Sequence, residues 1–168
     1  IASVLSRTGA QVQQIDLAGT PALGVKHRSG AVFILSPTAC NKTTGRSCAG
    51  LQMIAIFNYN VDPVTANTYN KGPNIAKISV SQNEVLMYHY IIADYGMPAG
   101  NLAITSDVFA SNIIQFLQFR TQNMRTVSFE PLLEDENTDE QISSTHELPD
   151  LPAASDIPRD FVNTNMVN

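Results

Sequence analysis

The chain reads as an α+β domain, an antiparallel sheet of five to six strands packed by two to three helices, followed by an extended C-terminal tail. Three observations predict this. Short apolar segments divided by turn residues recur as far as residue 93, and stretches with helical spacing open, interrupt and close the series. Beyond Val127 both patterns stop, so residues 1–126 are expected to form the domain and residues 127–168 an acidic, proline-containing tail.

Residues 1–8 place apolar side chains at i, i+3 and i+4 and end at Gly9, which suits the left-handed residue that closes a helix. That helix is already under way at Ile1, with no initiator Met, so a signal peptide is expected to have been removed. Extended segments follow at residues 12–17, 22–27 and 31–36, divided by the turns Ala18-Gly19-Thr20-Pro21 and Arg28-Ser29-Gly30. Residues 51–57 are apolar on both faces, which predicts a central strand covered on both sides.

Asp62-Pro63 announces a helix, because Asp caps the first-turn amides and Pro at the first position gives up no hydrogen bond; Gly72-Pro73 ends it. Residues 76–81 and 85–93 pair as a hairpin through Gln82-Asn83-Glu84. Alternation puts Leu86, Tyr88, Tyr90 and Ile92 on one face of the second strand and Met87, His89 and Ile91 on the other. Thr105-Ser106-Asp107 predicts the start of a last helix, with Phe109, Ile113, Phe116, Leu117 and Met124 as its apolar stripe.

Cys40 and Cys48 bracket a seven-residue polar loop between two apolar runs. Such a loop needs no thiol for packing, so the pair is read as a disulfide stapling two strand ends, which places the chain in an oxidising compartment. Two buried free thiols are the alternative.

The net charge of −5 is unevenly spread. Residues 1–126 hold nine Lys and Arg against five Asp and Glu, a balance of +4, and residues 127–168 hold one against ten, a balance of −9. An acidic tail would compete for any basic face, which argues for an interaction tail or a self-docking strap and against nucleic-acid binding. Lys26, Arg28, Lys42 and Arg46 form a basic rim near the staple without interleaved aromatics, and read as solvated loop charge. No run approaches the roughly 20 apolar residues of a membrane span, so no membrane insertion of the mature chain is expected.

The residues that carry chemistry do not converge on a reaction. His27, His89 and His146 share no metal-ligand spacing, and the cysteine pair lacks the CxxC of a zinc site, so no metal or other cofactor is expected. His89 is the histidine expected inside, as a hydrogen-bonded core residue. No serine lies in a nucleophile motif and no glycine-rich phosphate loop is present. Asn41-Lys42-Thr43 fits the N-glycosylation pattern, a tripeptide that often arises by chance.

The opening helix ending Thr8-Gly9-Ala10, the strand Phe33-Ile34-Leu35, and the Cys40 to Cys48 loop running into Leu51-Gln52-Met53-Ile54 follow one another in an order that resembles YbjN-type domains. Asn67-Thr68-Tyr69-Asn70-Lys71 is similar to that family's Asn-x-Trp-Asn-basic signature, with Tyr in place of Trp. The resemblance spans residues 2–124 and implies a fold like the small chaperones of type III secretion, an exported bacterial protein of the periplasm, and no enzymatic activity. It marks Asn67, Tyr69 and Asn70 as candidate binding residues; the plainer alternative is that Tyr69 packs on the sheet and the Asn side chains tie down loops. Two departures, Ser79-Val80-Ser81-Gln82-Asn83 in place of an Asp-rich stretch and the acidic tail, set this chain apart. The expected role is a non-enzymatic protein-binding or chaperone-like module of the bacterial envelope, its partner a protein or a second copy. The alternative is a structural subunit of an envelope assembly that docks through its acidic tail.

Overall fold

The computed structural model describes residues 1–41, 47–81 and 83–124. The tail, His146, Lys42 and Arg46 lie outside them, as does most of the glycosylation tripeptide. Helix α1 (Ala2–Arg7) closes at the predicted glycine: Gly9 takes φ 85°, and the Ala10 amide reaches back to the Leu5 carbonyl at 3.3 Å. Strands β1 (Gln11–Leu17) and β2 (Thr20–Lys26) follow. Their turn is two residues long where four were expected. Ala18 and Gly19 both adopt positive φ, 47° and 85°, the conformation that matches the twist of paired strands, and the Gly19 amide donates to the Asp16 carboxylate at 2.7 Å. Thr20 and Pro21 therefore belong to β2.

Next come β3 (Val32–Thr38), β4 (Gly50–Phe57), α2 (Pro63–Lys71), β5 (Lys77–Ser81), β6 (Glu84–Ile92) and α3 (Ala99–Met124). The strands form one antiparallel sheet in the order β1-β2-β3-β4-β6-β5. This is the α+β architecture expected. Asp62 caps α2 as predicted, accepting from the Thr65 amide at 2.9 Å, and these bonds hold its carboxyl below the usual value.

Every residue of β4 is buried, because its two faces serve two cores. Leu51, Met53, Ala55 and Phe57 join the core under the helices, with Leu5, Tyr69, Phe109 and Phe116. Ile54 and Ile56 point the other way and cluster with Leu17, Ala22 and Ile34. All three helices contribute to the first cluster, so the helical layer lies on one face of the sheet. Edge-to-face ring contacts knit that layer: Phe33 to Phe109 at 5.3 Å, Phe57 to Phe116 at 5.2 Å and Tyr69 to Phe116 at 4.9 Å between centroids.

Helix α3 begins six residues earlier than Thr105. The amides of Asn101 and Leu102 both donate to the Pro98 carbonyl, which starts the helix upstream of the polar trio. Ser106 is buried within the helix and Asp107 serves a tertiary contact, so neither is a cap. The inward stripe runs through Leu102, Ser106, Phe109, Ile113 and Phe116. Leu117 lies one position round from it and is 37% exposed, contrary to expectation.

Candidate functional site

The disulfide read from the sequence is present: Cys40 is bonded to Cys48, and no cysteine is free. It joins the end of β3 to the start of β4. The Ala49 amide donates to the Ala39 carbonyl at 3.2 Å, and the Ala93 amide donates to the Ala49 carbonyl at 2.8 Å, which ties the stapled loop to the end of β6 as well.

Apolar surface collects at this end. Continuing the β2–β3 register outward from its last pair, Leu23 with Leu35, brings Pro21 opposite Pro37. Neither proline has an amide hydrogen to donate, so the ladder stops there and the strands part. The gap is an apolar cleft of about 170 Å³ lined by Ile1, Gln14, Pro21, Leu23, Leu35 and Pro37, with Leu51 and Ala22 completing it. On the opposite face β6 presents Tyr90, 47% exposed, and Ile92, 78% exposed, and the following loop carries the fully exposed Tyr95. Tyr90 lies across Gly50, where an added methyl would sit 2.6 Å from the Tyr90 ring and 2.6 Å from the Thr38 hydroxyl. Glycine at 50 is what lets that ring lie on the sheet.

The sequence reasoning missed this site. Its signals were present as prolines at the ends of two adjacent strands and as large apolar residues at the end of β6, but only the register shows that they share one end.

The residues singled out on α2 have separate fates. Tyr69 is buried in the core between helices and sheet, with its ring against Phe116 and Phe119 of α3; its hydroxyl donates to the Asn112 carbonyl at 3.4 Å, and burial pushes its pKa up to about 12. Asn70 holds β5 in place: its carbonyl accepts from the Ile78 amide at 2.8 Å and its amide donates to the Ile78 carbonyl at 2.9 Å. Asn67 faces solvent. Nearby, the Arg120 guanidinium lies 3.7 Å from the centre of the Tyr59 ring, and burial raises that phenol to about 12 against the pull of the cation.

The buried histidine is His27, whereas the expectation was His89. His89 is half-buried, and its Nδ1–H donates to the Ile75 carbonyl at 3.1 Å; burial lowers its pKa. His27 is held at both nitrogens. The Ser29 amide and hydroxyl donate to Nδ1 at 3.2 and 2.8 Å, so the proton sits on Nε2, which donates to the Asp107 carboxylate at 2.8 Å. Arg28 approaches the other carboxylate oxygen at 3.4 Å. Ser, His and Asp thus meet, but the amides beside Ser29 are engaged. Ser29 N–H is turned to the ring and Gly30 N–H to the His27 carbonyl, so neither aims at a developing oxyanion. The arrangement clamps the β2–β3 turn to α3.

Among the described residues no group of three or more His, Cys, Asp or Glu is placed to hold a metal ion, and no helix is long and apolar enough to cross a membrane. Comparison with known protein families and with curated proteins finds no match.

Proposed function

We propose that the chain is a non-enzymatic, chaperone-like protein-binding module of the bacterial envelope, located in the periplasm, that engages its partner through the stapled end of the sheet. The observation that carries this reading is that the apolar cleft, on one face of the sheet, and Tyr90 and Ile92, on the other, lie with Tyr95 at the disulfide end. Exposed aromatic and branched side chains are what protein interfaces use as anchors, and an apolar cleft on the other face of the same end adds a second apolar surface. The disulfide supports an oxidising compartment, and the likeness of the motif order to YbjN-type domains supports an exported chaperone-like protein. A second reading, a structural subunit docking through its acidic tail, is favoured by the charge split of −9 against +4.

The test is capture from a native envelope extract with three baits: the parent chain, Ile92→Asp with Tyr95→Ser, and Val64→Asp as a control at the other end of the molecule. All three substituted side chains are exposed, so the fold tolerates the changes. A partner held by the parent and the control and released by the Ile92 variant is the expected result. Equal capture by all three baits assigns the contact elsewhere, and loss on deleting residues 127–168 alone favours docking through the tail.

A further inference from the structure

The sheet ends in two edge strands, β1 and β5. At β5 the Asn70 side chain accepts from the Ile78 amide at 2.8 Å and donates to the Ile78 carbonyl at 2.9 Å, so α2 closes this edge much as a further strand would. An edge left open is a template for pairing with another chain, and proteins blunt such edges with Pro, Lys, bulges or a cover. Strand β1 has no Pro, no Lys and no bulge: it reads Gln-Val-Gln-Gln-Ile-Asp-Leu, pairs with β2 in unbroken register, and has Asp16 as its one charge. Leu17 and Thr20 flank a two-residue turn and form its hydrogen-bonded pair, which by alternation makes Ile15, Gln13 and Gln11 the residues bonded to β2. The N–H and C=O groups of Val12, Gln14 and Asp16 therefore point outward from the edge, and no hydrogen bond from elsewhere among the described residues reaches them. The side chains of Gln11, Gln13, Gln14 and Asp16 are exposed, so the edge is accessible.

We propose that β1 pairs with β1 of a second copy of this chain, antiparallel about a two-fold axis through Gln14, joining the two six-stranded sheets into one. The strand is self-complementary in this register. Gln14 meets Gln14 of the second copy and Val12 meets Asp16, so every outward-pointing residue meets an outward-pointing residue, and each pair exchanges both of its N–H···O bonds. A shift by one residue sets outward groups against inward ones and loses the bonds. Every other in-phase register engages fewer of the three residues, and the one centred on Asp16 sets two carboxylates opposite each other. About Gln14, each carboxylate lies instead beside the half-buried Val12, and Gln13 lies across the half-buried Ile15 of the second copy. The pairing does not rest on the partner-binding reading, because Tyr90 and Ile92 belong to β6, beyond β2, β3 and β4 in the sheet.

Light scattering across a concentration series, with amide exchange followed residue by residue in nuclear magnetic resonance, tests this on the full chain and three variants. Gln14→Lys sets two ammonium groups opposite each other across the axis, Gln14→Pro removes an outward N–H that makes no bond within the chain, and Ser81→Lys on β5 is the control. The expected result is a mass that rises from one chain to two with concentration in the parent and the control and stays at one chain in both Gln14 variants. The amides of Val12, Gln14 and Asp16 exchange several-fold faster on dilution of the parent, and those of Gln13 and Ile15, bonded to β2, do not change. If Gln14→Pro does not fold, Gln14→Lys carries the comparison, because it alters one exposed side chain. A parent chain that stays monomeric at the concentration of the exchange measurement overturns the pairing. A dimer that survives in Gln14→Lys also overturns it, by placing the contact elsewhere, as does protection of Val12, Gln14 and Asp16 that persists in the monomer.

Discussion

Removing the staple is the perturbation with the best-defined magnitude. Cys40 and Cys48 close a loop with a sequence separation of 8. Closing a loop of about nine residues removes about 2.6 kcal/mol of unfolded-chain entropy at 25 °C. For a body of about 120 residues the unfolding entropy is about 0.25 kcal/mol/K, so the double substitution Cys40→Ser with Cys48→Ser lowers Tm by about 10 °C. The loss is also local. Ala49 and Ala93 donate the hydrogen bonds that tie the loop to β3 and β6, so their amides exchange faster in the variant before those at the centre of β4 do. Thermal unfolding followed by circular dichroism, with the parent chain in reductant as a parallel arm, measures the first effect, and hydrogen exchange measures the second. A Tm unchanged in both arms, together with two titratable thiols in denatured, unreduced protein, refutes the reasoning and removes the support for an oxidising compartment.

Other expected outcomes follow from single contacts. Asp107→Ala leaves the buried His27 N–H without its acceptor and costs about 1–3 kcal/mol, whereas Asp107→Asn keeps a carbonyl there and restores most of the stability; denaturant titration of the pair measures the difference. Ser106→Ala raises stability by about 1 kcal/mol in the same assay, because the Ser106 hydroxyl is buried in the helix–sheet core without a hydrogen-bond partner. Burial lowers the pKa of His89 in the fold, so the unfolded chain takes up its proton first as pH falls below 6.5. The stability contributed by the neutral ring is therefore present above pH 6.5 and lost as pH falls from there through the folded value. His89→Gln flattens the dependence of Tm on pH across that window, and an unchanged slope counts against the assignment.

Much of the fold was legible because local rules decide it. Gly9 closing α1, Asp62-Pro63 opening α2, and the unbroken apolar run of β4 each state their structure within a few residues, through backbone freedom, capping and burial on two faces. The cysteine pair was legible for the same reason, because the polar loop between its members left the thiols no packing role. Misreadings came where a distant partner outranked a local preference. Thr105-Ser106-Asp107 has cap chemistry, yet the helix starts at Ala99 because Pro98 supplies an acceptor upstream, while Asp107 answers a histidine 80 positions away in sequence. His27 is buried and His89 half-exposed because the clamp to α3 closes over the end of β2, whereas His89 sits near the sheet's β5 edge. The stapled-end site belongs to the same class. Pro21, Pro37 and Tyr90 are ordinary residues within their own strands; the register sets the two prolines opposite each other and lays the tyrosine over Gly50. Composition and periodicity thus determined the elements and the covalent staple, because those depend on neighbours along the chain. Pairing across the sheet decided which surface lies open, because that depends on residues that only the folded backbone brings together.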